Sequence, residues 1–414
     1  MKIGEFAKKY GINPSAVRYY IDKALLSPKR ENGQYSFDQT CVEQMDRIMR
    51  YKKCKFSLEE IEILSYYEGA TNLKDKAVIR EILQMFHEKA ASIQREMESM
   101  EEVLQYLRQE IGHYQRLEES AQSQKQLAYV PLETLGLLHC PSCHGPLSLK
   151  AADLESRGVV RGELVCACGY RAVISDGMLL CEGALENTPF KAFENVDTVL
   201  AITDEFSTAY RTLIEKSHLW MYQQIVAGRR SIHTALAGPF SYNFLLKYMK
   251  TLPPDVLYVV VDISVRKLEK LKEYFSDFGK NILYIAGDID KLPLKQESVD
   301  LYIDDFSGCN YIFTYNRELL GIVTPLMKRH GILLGHFVDY SRAPKSLENF
   351  RKDHEGFQPE LMRLKKLYRD FSDAGIKLLE ENNFGFPEGN QQDFVRNVSG
   401  EKVALIGYCG EKQT

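Results

Sequence analysis

The sequence predicts a multidomain protein, α at its N-terminal end and α/β at its C-terminal end. Three observations carry this. The chain opens on two short helices joined at a glycine, followed by a long heptad stripe; a turn-rich stretch then holds two pairs of cysteines; and after about Asn187, β-branched runs alternate with helical patterns. At 414 residues the chain is also too long for one ordinary domain of roughly 100–200 residues. The expected divisions are 1–68, 69–128, 135–183 and 187–414.

Composition sets further bounds. Apolar residues make up 44% and charged residues 27%, which excludes a largely disordered or collagen-like chain. With 53 Lys and Arg against 57 Asp and Glu, the net charge of -4 excludes a uniformly basic coat. The opening MKIGEFAKKYG lacks a signal-peptide core, and no run of about 18 uncharged apolar residues occurs, so a cytoplasmic protein with no membrane partner is expected. Nine cysteines in so long a chain are too sparse for a disulfide scaffold; four of them cluster, which suggests metal.

In the first segment Gly11 ends a helix that begins at Ile3, and Asn13-Pro14 starts a second with a capping residue and a first-turn proline. This is a helix-turn-helix. The basic pair Lys29-Arg30 leads into Asn32-Gly33, a hairpin-turn dipeptide, and so into a wing. Met1 to Lys55 holds 12 Lys or Arg against 6 Asp or Glu, a positive patch of the kind that phosphate contacts require. IGEFAKKYGINPSAVRYYIDKALL, followed by FSLEEIEIL, resembles the N-terminal domain of MerR-family transcription regulators over about 65 residues.

That resemblance implies double-stranded DNA as partner, RNA polymerase as a further one, and promoter twisting or bending as the mode of action. It implies that the second helix enters the major groove. Arg18 and Tyr19 would then sit on phosphate, Ser15 near base edges, and Lys29, Arg30 and Tyr35 in the wing. The family's wing arginine is missing from Gln34-Tyr35-Ser36-Phe37, and Lys29 or Arg30 is the available substitute. Tyr20 and Phe56 are read as small-core packing.

Phe86, Ala90, Ile93, Met97, Met100, Leu104, Leu107, Ile111 and Tyr114 alternate spacings of four and three over 29 residues, which is about 43 Å of helix. Such a narrow stripe cannot bury itself. A second copy of the chain is the simplest cover, giving a homodimer; packing on the protein's own C-terminal domain is the alternative.

Cys140-Pro-Ser-Cys143 and Cys166-Ala-Cys168 are separated by 22 residues, and each pair is soon followed by a glycine. Four thiolates on two knuckles suit a structural zinc ion and a small zinc ribbon. His139, His144 or Cys181 remain open as replacement ligands. The string Tyr170-Arg-Ala-Val-Ile-Ser-Asp-Gly-Met-Leu-Leu resembles the ending of zinc ribbons found beside methyltransferase domains.

The strand candidates of the last segment are SIHTALAG, VLYVVVDIS, ILYIAGDI, VDLYID, GILLGHFV and VALIGYC. Asp262 ends the second of these, 24 residues past Gly238. An acid at that place can accept both hydroxyls of a ribose. This order resembles the class I S-adenosylmethionine-dependent methyltransferases, a Rossmann-like fold. The resemblance implies that Asp262 would hold ribose, Asp288 and Ile289 would flank adenine, and Gly238 would mark the first cofactor loop. Yet the loop reads Thr234-Ala-Leu236-Ala-Gly238-Pro-Phe240, with one glycine where the family has three and no acid, and Leu236 and Phe240 are expected to fill cofactor space. No residue stands out as a transfer base. The reading is therefore a DNA-binding regulator whose methyltransferase-like domain senses an unidentified small-molecule effector; the alternative is an active methyltransferase carrying a DNA-binding head.

Overall fold

The computed structural model describes residues 1–31, 33–71, 73–120, 129–155, 158–186, 208–228, 231–239, 241–353, 356–386 and 398–413. The hairpin-turn residue Asn32 and the first-loop residue Phe240 lie outside the described residues. The chain forms two compact units, Met1–Gln122 and Ser123–Thr414.

The first unit begins with α1 (Ile3–Lys9) and α2 (Pro14–Asp22). Gly11 makes the turn at φ +63°, a left-handed conformation that glycine adopts without strain. The Asn13 side chain caps α2 by accepting the Ser15 N–H at 3.0 Å. Strands β1 (Lys29–Glu31) and β2 (Gln34–Ser36) pair antiparallel as the wing. Helices α3 (Gln39–Lys53) and α4 (Leu58–Thr71) follow, the latter started by a capping box between Ser57 and Glu60. Phe6, Val17, Tyr20, Leu26, Phe37, Met45, Ile48, Phe56, Ile61 and Leu64 form one buried core.

Helix α5 (Lys76–Ser120) is 45 residues long. Its first part packs on the head. Phe86 lies 5.0 Å from Phe56 and 5.8 Å from Tyr51, ring centre to centre, and Lys89 pairs with Glu60 at 2.8 Å. Phe86, expected in the dimer stripe, therefore completes the core of its own head, and Ile93 is half-buried. Met97, Met100, Leu104, Leu107, Ile111 and Tyr114 are 45–67% exposed.

The second unit is built on one twelve-stranded sheet. Its first part holds β3 (Val130–Pro131), β4 (Ser148–Glu155), β5 (Gly158–Val165), β6 (Arg171–Ser175) and β7 (Met178–Leu180). After α6 (Thr208–Ala227) come β8 (Thr234–Ala237), α7 (Tyr242–Tyr248), β9 (Leu257–Asp262), α8 (Val265–Phe275), β10 (Asn281–Ala286) and β11 (Val299–Asp304). The rest is α9 (Ser307–Tyr315), α10 (Leu320–Val323), β12 (Met327–Arg342), α11 (Pro344–Asp353), α12 (Leu364–Asp373), β13 (Ile376–Gly385) and β14 (Lys402–Lys412).

Numbered from β8 as the first, strands β8 to β14 lie in the order 3-2-1-4-5-7-6, with β14 antiparallel to both neighbours. This is the Rossmann-like arrangement of the class I methyltransferases. Strands β8 and β9 are buried almost throughout, as strands covered on both faces must be. The strands that flank the cysteine turns belong to the same sheet, because β7 pairs in parallel with β10.

Gly335 brings β12 against β11. A Cβ there would stand 2.4 Å from the Asp304 carbonyl oxygen. Gly335→Ala should therefore lower the stability of this unit by roughly 1–3 kcal/mol, read as a lower urea midpoint at unchanged slope.

Candidate DNA-binding face, cysteine cluster and sheet-end site

On α2, Ser15, Arg18 and Tyr19 are exposed on one side, while Val17 and Tyr20 are buried on the other. Burial of alternate sides follows from the helical period and leaves Arg18 free to meet a polyanion. The Ser15 hydroxyl leans on its own cap, 3.0 Å from Asn13 Oδ1. In the wing, Arg30 donates to the Tyr35 hydroxyl at 3.1 Å and stands over its ring, while Lys29 reaches Asp38 at 3.5 Å. Both cations stay exposed. The hydroxyl of Tyr20 accepts from the exposed Lys52 at 2.9 Å.

The four cysteines converge. Cys140 Sγ lies 3.4 Å from Cys168 Sγ, and Cys143 Sγ 3.3 Å from Cys166 Sγ. All four sulfurs fall within 4.8 Å of one another, so the cluster can hold a metal ion. Burial opposes ionisation of Cys140, but the N–H groups of Cys143 and Ser142 directed at its sulfur outweigh it and hold the thiol at about 7. The alternatives lie apart. His139 Nδ1 contacts the His144 carbonyl at 2.8 Å, and Cys181 is buried beside Tyr170.

At the carboxyl ends of the parallel strands, the residues expected to receive S-adenosylmethionine are engaged by the chain itself. Asp262 is 5% exposed; its Oδ1 accepts the Ser264 N–H at 2.9 Å and its Oδ2 pairs with Lys267 at 3.2 Å. The Lys267 ammonium stands 4.1 Å from the centre of the Tyr242 ring. Asp288 accepts the Asp290 N–H at 3.1 Å and caps its own turn, with Ile289 buried. A Cβ on Gly238 would fall 2.3 Å from the Tyr302 hydroxyl and 2.7 Å from that of Ser307. The bare backbone therefore serves an internal contact. Leu236, expected in cofactor space, is instead wholly buried in the sheet core.

Residues after β7 also cross this end of the sheet. Cys181 N–H donates to Ala286 O at 2.8 Å, Leu185 N–H to Ile263 O at 2.8 Å, and Val265 N–H to Leu185 O at 2.9 Å. With Asp262, Asp288 and Gly238 engaged internally, the residues present do not fit S-adenosylmethionine.

Two features were missed in the sequence. One is a narrow cavity of about 40 Å³ lined by Tyr302, Asp304, Leu333, Phe337, Phe371 and Tyr408, well below the volume of small-molecule sites. Burial, aided by the neighbouring Asp305, pushes the Asp304 carboxyl up to about 6 against the restraint of the Tyr408 hydroxyl and the Gly308 N–H. The other is a buried group of His218, Asp305 and His336.

Comparison with known proteins identifies the head. Residues 1–67 match the family described as MerR HTH family regulatory protein. The mercuric resistance operon regulatory protein of Bacillus cereus is 32% identical over 104 residues, which span 25% of this chain and 76% of that protein. The chain belongs to the MerR family. Another relative, the HTH-type transcriptional regulator HmrR of Rhizobium leguminosarum bv. viciae, is 32% identical over 107 residues, spanning 25% of this chain and 78% of its own. As a MerR-family member the chain is a DNA-binding transcription regulator. Among solved structures, the MccD protein covers 49% of this chain and 96% of its own at 14% identity and a TM-score of 0.35. The methyltransferase-like fold of this MerR-family protein is read from its strand order. No described helix is long and apolar enough to cross a membrane.

Asp304 carries a pH signature. Its folded carboxyl titrates near 6, above an ordinary aspartate, so its stabilising contribution is complete below about pH 4 and lost as pH rises through 6. The stability of the wild type relative to Asp304→Asn should fall by about 3 kcal/mol across that window, as read from denaturant unfolding at stepped pH.

Proposed function

We propose that this regulator works as a homodimer that grips duplex DNA through α2 and the β1–β2 wing, with an α/β domain that senses a small molecule other than S-adenosylmethionine. The observation that carries the DNA reading is the MerR match over residues 1–67 together with exposed Arg18, Tyr19, Lys29 and Arg30 on that segment. In this reading Arg18 and Tyr19 position the head on phosphate, Ser15 lies near base edges, and Lys29, Arg30 and Tyr35 form the wing contact. Residues 1–68 are the DNA-binding domain, 69–128 the dimerisation helix, 135–183 a zinc ribbon and 187–414 the sensor.

The stripe Met97, Met100, Leu104, Leu107 and Ile111 supports dimerisation, because large apolar side chains at heptad spacing stay exposed on a single copy. Ile93 joins that stripe at its head end, and Phe86 does not. Cys140, Cys143, Cys166 and Cys168 hold zinc as a closed tetrathiolate with a structural role. Coupling between effector and DNA follows from linkage: a ligand that binds one state of the dimer better than another shifts the population of DNA-competent heads. RNA polymerase is the downstream partner and the cytoplasm the compartment.

The commitment of Asp262 to Lys267 argues against the alternative of an active methyltransferase. Calorimetric titration with S-adenosylmethionine and S-adenosylhomocysteine should give no binding heat at high micromolar ligand; saturable heat would restore the enzyme reading. For the DNA face, Arg18→Ala should weaken binding to all duplexes alike and reduce the slope of log K against log salt by about 1. An unchanged slope would remove Arg18 from the phosphate contacts.

A further inference from the structure

Three residues far apart in sequence meet in the interior of the α/β unit. His218 comes from α6, Asp305 follows β11, and His336 lies within β12; they are 2%, 0% and 1% exposed. His218 Nε2 stands 2.8 Å from Asp305 Oδ1, and His336 Nε2 stands 3.1 Å from the same oxygen. Separations near 3 Å are what two ligands on one ion at about 2.1 Å make when they sit at roughly right angles.

The directions of the groups matter as much as the distances. His336 Nε2 is buried and close to Asp305, yet it forms no aligned hydrogen bond with that oxygen or with any other atom. Its other nitrogen is fixed: Nδ1 lies 2.7 Å from the Ser217 hydroxyl. Metal-bound imidazoles have this arrangement, with one nitrogen toward the ion and the other held by an outer partner. The second carboxylate oxygen of Asp305 is likewise occupied, accepting the Phe244 N–H at 2.9 Å, which leaves Oδ1 facing the two imidazoles.

Charge points the same way. A buried carboxylate in an apolar interior is costly without a compensating cation, either a bound ion or a proton on an imidazole. Aromatic rings close the site, with Phe306 centred 3.8 Å from the His336 ring and Phe244 5.8 Å from that of His218. Two nitrogen donors and one oxygen suit a borderline transition metal rather than magnesium or calcium, which prefer oxygen alone.

We infer that His218, Asp305 and His336 hold a divalent transition-metal ion of the zinc, iron, cobalt or manganese class. The site is separate from the cysteine cluster, lies beyond the regulator reading, and fastens α6 to the end of β11 and the middle of β12.

The test uses the full-length protein, stripped of metal with a chelator and titrated with Co²⁺ alone. The wild type should take up about two Co²⁺ per chain, one with intense thiolate charge-transfer absorption and one with weak visible bands of nitrogen and oxygen ligation. Cys143→Ser with Cys168→Ser should abolish the first spectrum and keep the second, whereas Asp305→Asn should abolish the second and keep the first. Ser217→Ala removes only the outer partner and should weaken the second Co²⁺ by about 10-fold or more. Uptake of one Co²⁺ per wild-type chain, with only the thiolate spectrum, would overturn the site and leave a proton bridging the cluster. So would a second Co²⁺ bound undiminished in both Asp305→Asn and Ser217→Ala.

Discussion

The α/β unit is organised around a carboxylate that cannot reach water. Asp305 faces His218 and His336 with one oxygen, takes the Phe244 N–H with the other, and sends its own N–H to the Ser241 hydroxyl. Those contacts draw on α6, the start of α7, the end of β11 and the middle of β12. Removing a donor from the carboxylate would leave a buried charge short of a partner, so these contacts fix how the four elements are arranged. The carboxyl end of the sheet, where folds of this kind ordinarily receive ligands, is here occupied by internal bonds. Asp262 with Lys267, and Gly238 beneath Tyr302 and Ser307, extend the same pattern to its neighbours.

The first unit follows the opposite logic. Its core is small and is closed by Phe6, Tyr20, Phe37, Phe56 and the incoming Phe86, so polar and cationic groups on α2 and the wing face outward with few internal partners. What the head does is therefore a matter of surface charge and shape, whereas the α/β unit keeps its polar chemistry inside.

Much of this was legible in the sequence. Gly11, Asn13 and Pro14 mark the turn and cap of the head because each answers a local backbone need. Strand β11 runs Val299–Asp304, as its β-branched alternation suggests, the β8 and β9 strands fall within their apolar runs, and β10 begins one residue ahead of its run, at Asn281. Strand β13 was not foreseen, since IKLLEENNFG is an edge strand with polar residues on its exposed side and lacks an apolar period. Phe86 packs on the chain's own head, a contact that heptad spacing cannot tell from one with a partner helix.

The buried His218, Asp305 and His336 left no local spacing to read, with the first two 87 positions apart. A clue was present in GHFV, where a histidine interrupts a run that must be buried, and in the Asp304-Asp305 pair at a strand end. Long-range pairing of β11 with β12 supplies the rest.

The parallel seam between β7 and β10 has a consequence for how the chain may be divided. Removing the strands that flank the cysteine turns would bare Tyr284 to Ala286 of β10, with their amides and carbonyls unpaired beside apolar side chains. Such an edge recruits strands from other molecules. The strands that flank the cysteine turns thus act as a guard against self-association, and an α/β part cut free at their boundary is expected to precipitate rather than to fold cleanly.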